Sequence, residues 1–415
     1  MSLEQGITEL LGIQGWEVVE GGLWQDDELG DVALWITRCA GTGYCCAGCG
    51  QSFLFAYDHL EGRVVRDLDV WGRRCYLRFC PARVACPDCG VHTESLNWIE
   101  PRERHTLRFE RQVAILCQLM PPVDVASYLG LTKNVVYRID RKWLARREEL
   151  RKHKPVRHLG IDEVAVRKGH RYATLFYDLE RREVIGGVLS RKQRAVSGFF
   201  RRWGKEACKE VVAVCTDLWA PYHNSVKRYL KKAVLVFDKF HVYSYLSDAI
   251  DQVRRNEQNR QRGEGMQLIK GTRWLWLKHR KKLKRKQRET LDEILAANKN
   301  LQKAYLLKED FEDFYECKTR DEAEAFLKQW TRRCKQGALH PFKNLARRLN
   351  RWKEGILAYF EHPITNSIAE GLNNKVKVIK RRSYGFHDFT YFLLKIMDQT
   401  GALPPIPPLT HTCQE

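Results

Sequence analysis

The feature that most constrains how this chain can fold is an apolar run interrupted by two adjacent carboxylates. Residues 157–166 form a largely apolar β-strand pattern, yet Asp162 and Glu163 stand in its middle. A carboxylate on such a strand must be neutralised, paired or bound to a metal ion, because removing an isolated charge from water is too costly. The chain has 72 Lys and Arg against 51 Asp and Glu. In so basic a protein we interpret Asp162 as a metal ligand, and Glu163, on the opposite strand face, as a partner for a nearby Arg or Lys.

Two later segments are also apolar strands that end in a carboxylate, namely Asp217 and Asp238. The elements predicted for this region follow the order strand, strand, strand, helix, strand, helix, strand, which is that of the RNase-H-like fold. In that fold the first and fourth strands lie side by side, so Asp162 and Asp217 would face each other. Their repulsion would be offset by a pair of divalent cations, Mg²⁺ or Mn²⁺. Asp238, followed by His241, is an alternative second ligand that the strand order favours less.

An amphipathic helix near the C-terminus offers a third carboxylate. Residues 366–382 place apolar side chains on one face, which we expect to pack on the sheet. Glu370 begins another face, which continues with Asn374, Lys377 and Arg381. This face therefore offers one metal ligand followed by groups that suit DNA phosphates.

Two Cys-x-x-Cys pairs have the spacing of a four-cysteine zinc ribbon. The pairs are Cys46 with Cys49 and Cys86 with Cys89. The spacing lets two thiolates reach one ion from a tight turn, and the glycine after each pair lets the backbone curl beneath the sulfurs. A set of buried free thiols is the alternative, which a single pair would favour more than two pairs do. Cys45 and Cys80 are rival zinc ligands.

A helix-turn-helix pattern follows the cysteine-rich region. Ala126 is small where two helices would cross, Gly130 suits the turn, and Thr132 can cap the second helix. The shared core is predicted from Val125, Leu129, Leu131, Val136 and Ile139. The second helix should present to a major groove and its phosphates Lys133, Asn134, Tyr137, Arg138, Arg141 and Lys142. An ordinary helical hairpin is the alternative, because this motif is not specific on its own.

The charge of the chain indicates a polyanionic partner. The formal net charge is +21, and eight of the eleven residues 278–288 are Lys or Arg. A solvated helix face is the usual meaning of a charge run, but a run of one sign favours a surface that follows phosphates. The residues predicted to contact DNA there are Lys281, Lys282, Lys284 and Arg285.

The sequence contains no apolar run long enough to span a membrane and no signal peptide, so we expect a cytoplasmic, nucleoid-associated protein with reduced cysteines outside metal sites. The predicted fold class is multidomain α+β. Its domains are a zinc ribbon at 1–100, a helix-turn-helix with a basic linker at 101–154, an RNase-H-like core at 155–243 and 363–400, an all-helical insertion at 244–362 and a disordered tail at 401–415.

These residues together resemble a DDE transposase of a bacterial insertion sequence, of the ISL3 family, from about residue 46 to residue 392. The most specific segments are 160–163 with 168–170, 216–217 with Tyr222, 236–242, 306–309, and 366–382 with 384–386. The resemblance implies an RNase-H-like domain split by a helical insertion before the last acidic ligand. It also implies a catalytic triad of Asp162, Asp217 and Glu370, with Asp238 and His241 as supporting residues.

The function that follows is Mg²⁺-dependent cleavage and transfer of DNA strands at the terminal inverted repeats of an insertion sequence, by a homodimer at the least. Two alternatives have different consequences. A domesticated DDE nuclease would keep the chemistry without transposition. A non-enzymatic regulator would use only the zinc ribbon and the helix-turn-helix, and would have no use for three carboxylates at strand and helix ends.

Overall fold

The computed structural model describes residues 2–25, 30–167, 171–261, 264–383 and 385–409. Two compact units are present, one formed by the chain up to Arg151 together with the chain from Leu403 onward, the other by Lys152–Ala402. The motif residues 168–170 and Tyr384, and the end of the predicted tail at 410–415, lie outside the described residues.

The first unit begins with small sheets and continues with helices. Its elements are α1 Leu3–Leu11, β1 Trp16–Gln25, β2 Val32–Arg38, β3 Tyr44–Cys45, β4 Ser52–Phe53, β5 Asp58–His59, β6 Arg63–Val70, β7 Arg73–Phe79, β8 Ala82–Cys86, β9 Gly90–Thr93, α2 Leu107–Leu119, α3 Pro122–Leu129 and α4 Lys133–Glu149. Strands pair in the orders β1-β2-β7-β6, β3-β4 and β5-β8-β9. Edge-to-face contacts among Trp16, Phe79 and Trp98 fill the core beneath the first of these sheets.

The helix-turn-helix forms as the sequence predicts. Helix α3 ends at Gly130, whose φ of +64° is the left-handed conformation that favours glycine. Val125, Leu129, Val136 and Ile139 are buried in a core shared with α2. This arrangement leaves the N-terminal end of α4 at the surface.

The C-terminal segment corrects one prediction. Residues 401–415 were expected to be disordered because of their prolines, but the described part packs on the first unit. Arg111 and Arg147 donate hydrogen bonds to the carbonyls of Pro407 (3.0 Å) and Pro404 (2.6 Å). Ile406 also packs against the helix-turn-helix core. Prolines do not prevent order where arginine side chains satisfy the backbone carbonyls.

The second unit contains a mixed sheet and many helices. Its elements are β10 His158–Arg167, β11 Arg171–Asp178, β12 Glu183–Val188, α5 Gln193–Trp203, α6 Lys205–Lys209, β13 Ala213–Thr216, α7 Ala220–Tyr229, β14 Val234–Phe237, α8 Lys239–Arg260, α9 Glu264–Ile269, α10 Arg273–Leu277, α11 Arg285–Ala297, α12 Lys299–Glu312, α13 Arg320–Gln336, α14 His340–Arg351, α15 Lys353–Leu357, α16 Ser367–Arg382 and α17 Phe389–Gln399.

Strand order in this sheet is β12-β11-β10-β13-β14. The pairs among β12, β11 and β10 are antiparallel, whereas β10, β13 and β14 run parallel. One face packs on α5 and α7, and the other packs on α16 and α17. Parallel strands covered on both faces need continuous apolar sequences, which is why β13 and β14 are recognisable as short apolar runs.

Helices α8–α15 share an apolar core that reaches the sheet through β14. Trp276, Phe311 and Trp330 are buried there, whereas Trp274 is exposed. Helix α15 approaches the sheet closely at Gly355, where a Cβ atom would overlap the ring of Phe237. None of the helices in the described part of the chain is both long and apolar enough to cross a lipid bilayer.

Candidate active site and DNA-binding surfaces

Three carboxylates lie at matching positions of the three parallel strands. Ile161 pairs with Thr216, and Thr216 pairs with Phe237, so the residues that follow them, Asp162, Asp217 and Asp238, stand next to one another along one edge. The predicted juxtaposition of Asp162 with Asp217 depends on the pairing of β10 with β13, and that pairing is present. The strand register therefore concentrates negative charge at one point of the sheet.

The Asp162 carboxylate is largely withdrawn from water. One oxygen accepts a hydrogen bond from the backbone N–H of Glu163 (2.7 Å), and the other accepts one from the side-chain amide of Asn373 (2.8 Å). Burial, and then the charge of Asp217, raise the pKa of Asp162 to about 7. The side chain therefore resists ionisation until a cation is close.

The two neighbouring carboxylates have different partners. Asp217 forms an ion pair with the imidazole of His241. Asp238 is buried, accepts a hydrogen bond from the backbone N–H of Asn366 (3.3 Å), and has its pKa raised mainly by burial. Burial alone would lower the pKa of His241, but the hydrogen bond and charge of Asp217, with the other two carboxylates, raise it. His241 thus supplies positive charge beside Asp217, and Asp238 fixes the start of α16.

Helix α16 contacts this edge of the sheet through two asparagines. Asn366, four residues before Glu370, donates its side-chain amide to the carbonyl of Ile161 (3.1 Å). Asn373, three residues after Glu370, donates to Asp162 and accepts a hydrogen bond from the buried hydroxyl of Tyr177 (2.6 Å). Residues at these spacings share one face of a helix. Glu370 therefore shares a helical stripe with the two asparagines that contact this edge of the sheet.

Glu370 itself is exposed in the first turn of α16. Among the described residues, the groups of ligand atoms that lie within 4.8 Å of one another do not include Asp162, Asp217 and Glu370. Three carboxylates repel one another when no cation is between them. Asp162 and Asp217 follow paired positions of adjacent strands, whereas Glu370 stands exposed on α16.

The oxygen donors of this edge suit a hard divalent cation. Carboxylate oxygens are the ligands that Mg²⁺ and Mn²⁺ prefer. The raised pKa of Asp162 shows that its negative charge is unfavourable at this position, and a bound cation would offset that cost. Glu163 is not part of this set. It accepts a hydrogen bond from Tyr222 (2.8 Å) and forms an ion pair with Arg191 (3.8 Å) near the opposite face of the sheet, as its position one residue from Asp162 predicts.

The four cysteines predicted as ligands converge in the first unit. The Sγ atoms of Cys46, Cys49, Cys86 and Cys89 all lie within 4.8 Å of one another. The nearby Cys49 thiol, followed by burial, raises the pKa of Cys89 to about 12, as expected where thiols crowd together. Cys80 and Cys45 are not members of this cluster, so the two Cys-x-x-Cys pairs supply its four thiols.

A glycine makes the cysteine cluster possible. A Cβ atom at Gly48 would stand 2.9 Å from the Sγ atom of Cys89. Gly50 and Gly90, which directly follow the two pairs, have φ of +79° and +81°. The glycines predicted to let the backbone curl beneath the sulfurs therefore have the conformation that requires them.

The predicted DNA-contacting residues of α4 fall into two groups. Lys133, Asn134 and Arg141 are exposed, and Tyr137 is half-buried. Arg138 and Lys142 instead form ion pairs with three acidic residues in the first unit: Glu100, Glu103 and Glu110. DNA binding through Arg138 or Lys142 would have to exchange these ion pairs for phosphates.

The predicted basic surfaces of the second unit are open to solvent. In the helical region Lys281, Lys282, Lys284 and Arg285 are all exposed, although Arg285 also pairs with Glu289 (3.0 Å). On α16 the predicted DNA-contacting residues Asn374, Lys377 and Arg381 are exposed, as are several of their neighbours. These three residues lie on the helix that contacts Asp162 through Asn373.

The residues that connect α16 to the carboxylate edge of the sheet are not predicted by the sequence patterns. Asn366 stands at the N-cap of α16, yet its side chain makes no capping hydrogen bond and instead reaches the carbonyl of Ile161. Asn373 and Tyr177 were not singled out. The available signal was the placement of two asparagines on either side of Glu370 along one helical stripe, in a helix otherwise apolar on its packed faces.

Comparison with known proteins defines the class of this chain. A family model described as "Transposase", for DDE transposases of the ISL3 type, matches residues 159–396. A second, described as the helix-turn-helix domain of transposase family ISL3, matches residues 94–144. The chain belongs to the ISL3 family of transposases.

Named relatives agree with this assignment along the whole chain. The transposase for insertion sequence element IS1001 of Bordetella parapertussis is 32% identical over 400 residues, which cover 95% of this chain and 98% of that protein. The transposase for insertion sequence element IS1557 of Mycobacterium tuberculosis is 25% identical over 430 residues, 96% of each chain. The resemblance predicted from the sequence motifs is therefore confirmed.

Proposed function

We propose that this protein cleaves DNA at the ends of an insertion sequence and transfers the freed strands, with Asp162, Asp217 and Glu370 holding two divalent cations. The observation that supports this most is the strand register, which sets Asp162 beside Asp217, together with the asparagine contacts that hold α16, the helix of Glu370, against this edge. Membership of a transposase family supplies the class of reaction.

The arrangement of the sheet supports an RNase-H-like core. Three antiparallel strands followed by two parallel ones, in the order 3-2-1-4-5, form a mixed sheet with helices on both faces. We assign residues 155–243 and 363–400 to this core, 244–362 to the helical insertion, 101–154 to the helix-turn-helix and linker, and 1–100 to the zinc ribbon. The insertion separates the last acidic ligand from the first two in sequence.

Divalent cations at this edge would activate the attacking oxygen and neutralise the leaving 3′ oxygen of the DNA. The chain's own residues prepare the site. Tyr177 and Asn373 fix the Asp162 carboxylate, and His241 holds Asp217 until it is needed as a ligand. Asp238 supports the start of α16 rather than acting as the second ligand, because its contact with Asn366 and its burial leave it less open than Asp217.

Recognition of the terminal inverted repeats is assigned to the first unit. Its helix-turn-helix exposes Lys133, Asn134 and Arg141 on the second helix. The basic rows in the second unit should hold flanking or target DNA. Joining two ends requires two active sites, so we propose a homodimer acting on the nucleoid. A domesticated nuclease would share all these features, and it differs in lacking inverted repeats around its gene.

Zinc is the metal we assign to the cysteine cluster, because four thiolates in two Cys-x-x-Cys pairs match its tetrahedral preference. Purified protein is expected to contain about one zinc ion per chain. Cys49→Ser should lose that zinc and unfold at a lower temperature, whereas Cys80→Ser should keep both properties. Elemental analysis with thermal unfolding measures this. Loss of zinc from Cys80→Ser, or its retention by Cys49→Ser, would show that the ligand set is wrong.

The experiment that tests the proposed activity uses full-length protein and a duplex ending in the inverted repeat that flanks the gene. With Mg²⁺, the protein should nick the strand at the repeat boundary and expose a 3′-hydroxyl. EDTA should abolish the nick. A duplex that stays intact under conditions in which the protein binds it would reject the proposal in favour of a DNA-binding regulator.

A further inference from the structure

The hairpin that connects β6 and β7 has an unusual turn. Val70 pairs with Arg73, so Trp71 and Gly72 form a two-residue loop. Their φ angles are 51° and 75°, and two positive values are the requirement of a type I′ turn. Asn, Asp or Gly is favoured at the first of these positions, because a bulky side chain is strained there. Trp71 therefore destabilises the turn relative to Asn, Asp or Gly at the same position.

Packing does not explain the tryptophan either. Trp71 is 86% exposed, the largest exposed fraction among the exposed large apolar residues of the described chain. Leaving an indole in water forgoes the burial that normally offsets a strained backbone. A residue that helps neither the turn nor the core points to a contact made outside the free protein.

The surroundings of Trp71 are positively charged. Arg73 and Arg74 are exposed beside it, and neither forms an ion pair within the described residues. The nearby carboxylate of Asp69 is already paired with Arg66. An aromatic ring flanked by two guanidinium groups without carboxylate partners suits a nucleic acid, because the ring can lie against sugars in a groove while the arginines meet phosphates.

The same hairpin tip adjoins the helix-turn-helix. A Cβ atom at Gly130, the turn residue, would collide with the guanidinium of Arg74. The exposed start of α4, with Lys133 and Asn134, follows three residues later. In helix-turn-helix proteins the N-terminal residues of the second helix contact base edges in the major groove. The tip of the hairpin therefore lies next to the stretch of DNA that α4 would occupy.

We propose that residues 71–74 form a second contact to double-stranded DNA, adjacent to the site of α4, in which Trp71 packs on the groove and the arginines bind phosphates. This inference rests on DNA binding by the first unit and extends the binding surface beyond the helix-turn-helix. The hairpin strand pair β6–β7 supplies a rigid support, because it is the edge of a sheet with a buried core.

The test separates binding from folding by using Trp71→Asn, which places the favoured Asn-Gly pair in the turn. We expect its unfolding temperature to equal or exceed that of the wild type, while its affinity for DNA falls about tenfold. Trp24→Asn is the matched control, because Trp24 is 60% exposed in the same unit outside the hairpin. It should bind DNA as the wild type does.

Arg73→Ala with Arg74→Ala tests the phosphate contacts. This double variant should reduce the slope of log affinity against log salt by about 1.8, or about 0.9 per phosphate contact. Binding is measured by fluorescence anisotropy with two labelled 40-base-pair duplexes, one from the inverted repeat that flanks the gene and one of unrelated sequence.

The outcomes separate this inference from the proposed function. Equal affinity of the wild type for both duplexes would contradict recognition of the inverted repeat, and the hairpin would still be judged on the unrelated duplex. Wild-type affinity in Trp71→Asn on both duplexes would overturn the hairpin contact. Parallel losses of unfolding temperature and affinity in that variant would also overturn it, since they would show that the tryptophan is structural.

Discussion

Replacing Asp162 by asparagine is expected to slow cleavage of the DNA end by at least about a thousandfold, which corresponds to about 4 kcal/mol of transition-state stabilisation. Asparagine keeps the size of the side chain but removes the negative charge that holds a cation. The measurement is single-turnover nicking of the inverted-repeat duplex in Mg²⁺. Binding of that duplex should change little, because recognition of the inverted repeat is assigned to the first unit, which does not contain Asp162.

Two companion variants make this result specific. Asp217→Asn should be as inactive as Asp162→Asn, because the register sets the two carboxylates side by side. Asp248→Asn removes an exposed carboxylate on α8 and should stay within about twofold of the wild type, as surface changes usually do. Cleavage by Asp162→Asn within tenfold of the wild type would remove Asp162 from the active site.

The same substitution should stabilise the metal-free protein at pH 8. Asp162 has a pKa of about 7 in the fold, above the ordinary 3.8 of an aspartate, so ionising it there costs free energy. The difference corresponds to on the order of 2–4 kcal/mol. Loss of the hydrogen bond from Asn373 offsets about 1 kcal/mol of the gain. The unfolding temperature of Asp162→Asn should therefore exceed that of the wild type by several degrees.

The direction of the pH dependence follows from the raised pKa. Well below pH 4 the Asp162 carboxyl is protonated in both the folded and unfolded states, so it does not lower the stability of the fold. As pH rises toward 7 the unfolded chain ionises first, and the wild type loses stability that the variant keeps. Thermal unfolding from pH 5 to pH 8 should show the two proteins diverging. A wild type that is as stable as the variant at pH 8 without metal would contradict the electrostatic cost assigned to Asp162.

Magnesium should offset the lower stability of the wild type relative to Asp162→Asn at pH 8. A cation bound by the carboxylates stabilises the folded state in proportion to the logarithm of its concentration above the dissociation constant. Millimolar Mg²⁺ at pH 8 should raise the unfolding temperature of the wild type and leave Asp162→Asn nearly unchanged. Asp248→Asn serves again as the control and should respond as the wild type does.

The sequence predicted those parts of the site that depend on local patterns. Parallel strands buried on both faces have continuous apolar sequences, so β13 and β14 and the carboxylates after them were recognisable. The two Cys-x-x-Cys pairs and the helix-turn-helix have fixed spacings that directly reflect geometry. The resemblance to ISL3 transposases then related Glu370 to the two aspartates, which no local pattern could do.

Contacts between segments that are far apart in the chain could not be predicted from the sequence. Asn373 meets Asp162 from 211 residues away, and Tyr177 is recognisable as its support only once β11 and α16 are packed. The ion pairs of Arg138 and Lys142 depend on where the chain before α2 lies, so the helix pattern alone predicted both as free for DNA. The order in the C-terminal segment has the same origin, since Arg111 and Arg147 provide its hydrogen bonds.

Crystals of the protein soaked in Mn²⁺ would test the central claim most directly, because anomalous scattering locates the ion independently of activity. We predict Mn²⁺ between the carboxylates of Asp162 and Asp217, with Glu370 turned in from solvent as a further ligand. Mn²⁺ bound by Asp162 and Asp238 instead, with Asp217 still paired to His241, would contradict the assignment of the second ligand. A site that stays without manganese at saturating concentration would contradict the metal-dependent chemistry as a whole.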